Sequence, residues 1–552
     1  MDDATLSGTG RSELVAERQV PTFVSVGEPI GPDRALDNQS SGSGSAEASR
    51  RWRTVWRVHF YAGVLALPVL VLLSLTGLVI LYTESIDNGF GGNLRRVVPA
   101  GELVNLDAQR EAVETAFPDL RVTGVITPRG DGRATQFSMT SDDENFRDVF
   151  VNPYSGEVLG SVVQGSGIVG LANRLHGTLN NESITVPLPM PSAILGEGPA
   201  FASVPVGEIA IEIFSCWGLV LAITGIYLWW PRKAGTGKPL FVPRLARLRK
   251  GGRARWRDLH AVPGIAFAGI LIFFVSTGLP WSAYWGDNWD TVSSEITPAP
   301  AFEEPASTLA RTGDLDRFGN RIDWAVRDVP VPASNPVGGG LGHGGHSGGG
   351  PGASDSGAVS AGTGRPRTLS LQQVTEIARV EGMQRGYSVA LPIDSTEDAT
   401  SPLYGSFVLA DPSPARLDQS AYVYVDQFSG RTLARKTPFD EGTLGLATSF
   451  GIQTHMGTQF GLVNRIAMTG GCLLLLWMAF TAVVMWWKRR PPGKVGLPRR
   501  PANVALPRAL KVSAAAMGIV YPLWGASALA MVGIDRFVIR RMGRLRRAFG
   551  MR

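Results

Sequence analysis

The sequence predicts an α-helical membrane bundle of four core transmembrane helices, with a possible fifth, carrying two small α+β domains outside the cytoplasm and built by internal duplication. Three observations predict it. The apolar residues, 44% of a 552-residue chain, are gathered into separated blocks, each about as long as a helix crossing a roughly 30 Å hydrocarbon core needs. Lys and Arg crowd the short segments between alternate blocks, while the long segments between the others are net acidic. The first half of the chain also aligns with the second.

Taken in order, residues 1–49 are rich in Ser, Gly and Asp and read as a disordered cytoplasmic tail. The first transmembrane helix falls within 50–82, where an unbroken apolar run extends from Val58 to Tyr82. That run starts too late and is too long for a cleaved signal peptide. An extracytoplasmic domain follows at 83–205, then a second helix at 206–230, interrupted by Glu208 and Glu212. A basic cytoplasmic loop at 231–258 leads to the third helix, 259–282. The second extracytoplasmic domain occupies 283–461, with a Gly-rich flexible linker at 331–364. The fourth helix, 462–487, enters a second basic loop at 488–511. Residues 512–534 are long enough for a fifth helix, taken as one continuous span before a basic tail, 535–552. A hairpin at Pro522 is the alternative, and it would return that tail to the cytoplasm. Cys216 and Cys472 both sit inside apolar blocks, which excludes a disulfide framework and a CxxC metal site.

Orientation follows from the cations. Residues 231–257 hold ten Lys/Arg and no acid, residues 488–511 hold eight and no acid, and Arg50, Arg51, Arg53 and Arg57 precede the first span. These segments belong in the cytoplasm, which places the chain as a multi-pass protein of the cell (cytoplasmic) membrane. The net charge of +6 therefore reports topology and contact with membrane lipid, and nucleic acid is excluded as a partner. The aromatic pairs Trp229–Trp230 and Trp486–Trp487 suit an interfacial belt.

The duplication is explicit in the residues. HFYAGVLALPVLVLLSLTGL from His59 aligns without a gap on HAVPGIAFAGILIFFVSTGL from His260, matching Gly63 to Gly264 and Thr76–Gly77–Leu78 to Thr277–Gly278–Leu279. The second and fourth spans end alike, from Thr224 to LWWPRK and from Thr481 to MWWKRR. In the outer segments VFVNPYSGEVLG at 149–160 parallels VYVDQFSGRTLA at 423–434, each a strand, a Ser-Gly turn and a strand. A helix is expected before each, near 107–117 and 370–382.

Histidine carries the functional signal. Two of the six, His343 and His346, lie in the Gly-rich linker, where an HxxH spacing lacks preorganised geometry for a metal. His59 and His260 open spans one and three at the inner edge; His176 and His455 precede spans two and four at the outer edge. Imidazole is the usual axial ligand of a b-type haem, and bundle cores are where such ligands converge. Gly63, Gly77, Gly264 and Gly278 would permit the close backbone approach that a macrocycle needs.

With these residues the chain resembles the PepSY-associated transmembrane-helix family, which includes iron-regulated inner-membrane proteins and ferric-siderophore reductases. The resemblance spans roughly residues 50–535 and rests on the first-span run, NPYSGEVLG, RLHGTL, LAITGIYLWWPR, RDLHAVPG, FFVSTGLPWSAYWG, VDQFSG, THMGTQFG and VVMWWKRR. It implies PepSY-like outer domains and a possible ferric-chelate (siderophore) reductase, a haem-containing transmembrane electron-transfer protein acting in iron uptake. Its acceptor would be ferric iron or a ferric siderophore on the outer face. Carried over, it makes His59, His176, His260 and His455 the haem-iron ligands. The repeat pairs them as His59 with His260 at an inner haem and His176 with His455 at an outer one. About 22 residues of helix separate the two edges, roughly 33 Å, too far for one haem to draw a ligand from each. Arg57 and Arg255 inside, and Arg174 and Arg465 outside, are candidate partners for the propionates.

One departure stands out: 48 residues separate His176 from Thr224, against 26 from His455 to Thr481. The insertion is a candidate cap over the outer site. Neither basic loop has room for a nicotinamide or flavin domain, and no GxGxxG opens a βαβ unit, so the electron donor is expected to be membrane quinol or a separate cytoplasmic reductase. Two other readings exist. One is a non-enzymatic module whose outer domains bind or regulate an extracytoplasmic peptidase or envelope partner, which gives the histidines no role. The other is a transporter, resting only on Glu208 and Glu212.

The charge asymmetry yields a test. Cysteines placed at Ser155 and Ser429 should react with a membrane-impermeant thiol reagent in intact cells, whereas one at Thr236 should not. Labelling at Thr236 alone would invert the topology.

Overall fold

The computed structural model describes residues 32–90, 92–141, 145–195, 200–230, 252–298, 306–312, 314, 322–335, 367–395, 403–411, 416–490 and 508–543. The first repeat runs through α1 (Pro32–Leu81), α2 (Leu106–Ala116), β1 (Arg121–Ile126), β2 (Thr135–Thr140), β3 (Phe146–Val151), β4 (Val158–Val163), α3 (Gly167–Thr178) and α4 (Val206–Trp229). The second runs through α5 (Gly252–Gly278), α6 (Ala283–Ile296), whose shorter counterpart after α1 is Thr83–Phe90, α7 (Leu371–Val380), β5 (Ser388–Ala390), β6 (Ser406–Ala410), β7 (Tyr422–Asp426), β8 (Thr432–Lys436), α8 (Thr443–His455) and α9 (Gly461–Arg489). Two further helices, α10 (Arg508–Val520) and α11 (Pro522–Ile534), close the described chain.

Among the described residues five helices are long and apolar enough to cross a membrane: Ser49–Leu81, Val206–Trp229, Ala254–Trp281, Gly461–Arg489 and Pro522–Ile539. In the bundle α5 packs between α4 and α9, and α11 packs on α4. The core is built from Ala62, Ala66 and Leu70 of α1, Cys216 and Trp217 of α4, Leu271 and Val275 of α5, Leu475 and Met478 of α9, and Trp524 of α11. Small residues let the helices approach, which replaces the hydrophobic drive that lipid cannot supply. Both cysteines are free and buried.

The two outer segments do not make two separate sheets. They form one antiparallel sheet of eight strands, in the order β8-β7-β6-β5-β1-β2-β3-β4. Each repeat contributes a four-stranded meander, and the two join where β1 meets β5, with Gly124, Val125 and Ile126 opposite Ala390, Val389 and Ser388. The reason is the edge: a lone meander would expose the N–H and C=O row of β1 or β5, and pairing the two satisfies both rows. Alternation in the strands sorts the faces. Val149, Val151, Val423 and Val425 meet Val113 of α2 and Val374 of α7, while Tyr422 and Tyr424 face Ile322, Val326 and Val331. The two helices also cap one another. Asp107 accepts from the backbone N–H groups of Leu371 and Gln372 at 2.8 and 3.0 Å, and Gln372 accepts from the N–H of Leu106 at 3.4 Å. The Ser-Gly turns place Gly156 and Gly430 at φ of 73° and 72°, which a β-carbon would resist.

Several boundaries differ from the sequence reading. The first helix begins at Pro32, inside the stretch read as a tail, and α5 begins at Gly252, so His59 and His260 sit within their helices and not at the first turn. Arg50, Arg51, Arg53 and Arg57 before His59, and Arg253, Arg255 and Arg257 before His260, are helix formers, which carries each helix back past its apolar block. The linker also starts later than 331: Pro330–Pro332 pairs with Ala306–Arg311, and Ser334 bridges Tyr404. Residues 336–364, with His343 and His346, lie outside the described residues, as do 231–251 and 491–507 of the basic loops. The stretch 512–534 is not one helix. It breaks at Tyr521 (φ −123°, ψ 80°), because Pro522 has no N–H to continue the ladder. The two halves fold together tightly enough that a Cβ on Gly525 would lie 3.0 Å from the Cα of Gly518.

One glycine locks the outer helices to the bundle. A Cβ added at Gly207, at the start of α4, would fall 1.5 Å from the carbonyl oxygen of Thr178 at the end of α3. Gly207→Ala is therefore expected to force α3 off α4, at an overpacking cost of about 1–3 kcal/mol. Thermal unfolding in detergent should show a midpoint several degrees lower; an unchanged midpoint would contradict the contact.

Candidate functional site: four latched imidazoles

The four intramembrane-edge histidines each hydrogen-bond a threonine on a neighbouring helix. His59 Nδ1 lies 3.0 Å from Thr224 Oγ1, His260 Nδ1 lies 2.9 Å from Thr481 Oγ1, His176 Nδ1 lies 2.9 Å from Thr76 Oγ1, and His455 Nδ1 lies 2.9 Å from Thr277 Oγ1. The bonds follow the duplication. His59–Thr224 and His176–Thr76 are internal to the first repeat; His260–Thr481 and His455–Thr277 are their counterparts in the second. Each repeat thus fastens two imidazoles to its own helices, one toward each end of the bundle.

The bonds define two levels. On α1, His59 and Thr76 are 17 residues apart, as are His260 and Thr277 on α5, which is about 25 Å of helix. At the level away from the sheet lie His59 and His260, bonded to Thr224 and Thr481. At the sheet-side level, His176 and His455 line one cavity of about 770 Å³, together with Gly77, Gly278, Phe274, Met456, Met468 and Cys472. The cavity extends to a polar end formed by Asp87, Arg95, Asp148 and Gln164. There Arg95 pairs with Asp87 at 3.3 Å, and Gln164 donates to Asp148 at 2.8 Å.

Glycines make the space. A Cβ at Gly77 would stand 3.4 Å from Cε1 of His176, one at Gly278 would stand 3.4 Å from Cε1 of His455, and one at Gly225 would stand 3.3 Å from Cε1 of His59. In three of four places the residue after the latching threonine is therefore a glycine on which an imidazole rests; the fourth is Ala482. At the sheet-side level a flat macrocycle between the two imidazoles suits these walls: nitrogen donors, bare backbone at the rings and a cavity of ligand size.

The arginines are placed as follows. Arg57 is buried and donates to the Tyr61 hydroxyl at 2.9 Å. Arg174 donates to Asn180 Oδ1 at 2.9 Å and to the carbonyl of Gly165, tying the segments before and after α3 to the helix. Arg255 is exposed and Arg465 half-buried. The insertion between His176 and α4 forms a hairpin of Thr185–Pro189 with Phe201–Pro205. Its Met190 and Val204 pack on Tyr284 and Leu523, and none of its described residues lines the cavity. Glu208 and Glu212 hold the N-terminus of α6. Glu208 accepts from the N–H of Ala283 at 2.7 Å, and Glu212 accepts from the N–H of Trp285 at 3.1 Å and from the Ser282 hydroxyl at 3.2 Å. Carboxylates at that position complement the helix dipole, which accounts for their presence in an apolar span.

The profile of the PepSY-associated TM region matches residues 56–489, a stretch that contains all four imidazoles and their threonines. The chain belongs to the PepSY-associated transmembrane family. It is a multi-pass membrane protein with an antiparallel sheet region. A search of curated proteins returned no match.

The sequence singled out the histidines but not their partners. Thr76, Thr224, Thr277 and Thr481 appeared only as matched letters in the repeat alignment. The usable signal was a hydroxyl recurring at repeat-equivalent places in otherwise apolar blocks, followed by glycine in three of them. Which histidine each would meet depends on helix packing, and spacing does not encode that.

Proposed function

We propose that this PepSY-associated protein carries electrons across the membrane on two b-type haems, one held by His59 and His260 and the other by His176 and His455. When bound, the haems supply one-electron redox chemistry at the two levels. The observation that supports this reading most strongly is the arrangement of four latched imidazoles as two pairs about 25 Å apart along the helices. A structural histidine needs no such pairing across a repeat, and the sheet-side pair opens onto a cavity of ligand size.

The remaining parts follow from the charge asymmetry and the family. The sheet side faces outward, and ferric iron or a ferric siderophore is the acceptor there, reached from the polar end of the cavity. Electrons enter at the His59–His260 level from membrane quinol or a cytoplasmic reductase. The bundle holds the imidazoles in place through the four threonines.

Haem stoichiometry in single substitutions tests the assignment. His59→Ala and His260→Ala should each remove the same haem, leaving one per chain, and His176→Ala and His455→Ala should each remove the other. Loss of the same haem from His59→Ala and His176→Ala would break the pairing. Wild-type protein without reduced haem bands would favour the non-enzymatic reading instead.

A further inference from the structure

The threonines themselves carry a chemical instruction. Each latching hydroxyl contacts the imidazole Nδ1 and the backbone carbonyls three and four residues earlier on its own helix. The carbonyl distances are 2.9 Å from Thr76 to Leu72, 2.5 Å from Thr224 to Val220, 2.7 Å from Thr277 to Phe273, and 3.0 Å from Thr481 to Trp477. A hydroxyl has one proton to give. A carbonyl can only accept, so it takes that proton, and the imidazole must then be the donor at Nδ1.

We propose that Thr76, Thr224, Thr277 and Thr481 are positioning residues that fix each histidine as the Nδ1–H tautomer, so that Nε2 is the ligating nitrogen and its basicity is set by the latch. The inference rests on the haem reading and adds to it which nitrogen binds and what tunes it. A neutral imidazole protonated at Nδ1 has its lone pair at Nε2. Donation from Nδ1 to an oxygen raises the basicity of Nε2, which favours the ferric over the ferrous state. Because every latch is made within one repeat, while each pair of imidazoles is drawn from both, the ligands are aimed before a haem joins the repeats. The latch acceptor is a neutral hydroxyl at all four places, so the tuning is matched at the two levels.

The test uses the purified full-length protein and valine, which keeps the shape of threonine without its hydroxyl. In Thr277→Val or Thr76→Val the sheet-side haem should bind about 10–100-fold more weakly. The fraction retained should have a raised midpoint potential and a changed low-spin electron paramagnetic resonance signal. The other haem should keep its potential, which also shows that the chain is folded. Thr224→Val and Thr481→Val should do the same at the opposite level, and serine at any of the four should restore wild-type values. Two haems with wild-type affinity, potential and resonance signal in the valine variants would overturn the threonine assignment while leaving the haem reading intact. A wild-type chain that binds no haem would overturn both.

Discussion

An imidazole within an apolar bundle must find a partner, and that requirement organises the rest of the molecule. In hydrocarbon no water is at hand, and a buried polar group left unpaired costs about 1–3 kcal/mol. The protein meets the cost four times with the same device, a threonine hydroxyl already anchored to its own helix backbone. Side-chain length then fixes which helices must be neighbours: α1 with α4 through His59 and Thr224, and α5 with α9 through His260 and Thr481. The same bonds bring the short helices α3 and α8 down onto α1 and α5 through His176 and His455.

Outside the bundle a second constraint acts on the same elements. The two meanders share one sheet, joined at β1 and β5, so the segments that lead back to α3 and α8 leave from opposite ends of a single rigid platform. The mutual capping of α2 and α7 reinforces that join. The sheet therefore couples the two repeats outside the bundle, and His176 and His455, one from each repeat, line a common cavity within it. Helix α6 is the longer counterpart of Thr83–Phe90 in the first repeat. Its N-terminus is held by Glu208 and Glu212, its Tyr284 packs on the inserted hairpin of the first, and it brings that insertion against the C-terminal helix α11.

Much of this was legible in the sequence because the code in a membrane is coarse. Block length announces the spans, and the gapless match of His59 onto His260 announces the duplication. The Ser-Gly turns at 155–156 and 429–430 mark their hairpins, since turn geometry is a local property. The single sheet was not legible: strand alternation says which face is buried but not which edge finds a partner 260 residues away. The latching threonines were hidden for the same reason. The end of the chain misled because Val512 to Ile534 satisfies a length criterion, whereas the covalent consequence of Pro522 decides the matter. Glu208 and Glu212 invited a transport reading only while their acceptor role at the start of α6 was out of sight.

The account stands on two bis-imidazole pairs per chain. The most direct measurement is the electron paramagnetic resonance spectrum of the purified, oxidised wild-type protein, quantified against protein concentration. Two low-spin ferric signals of equal weight, each of bis-imidazole type, are predicted. A high-spin signal, which reports a single imidazole on the iron, or one low-spin species at one equivalent per chain, would contradict it.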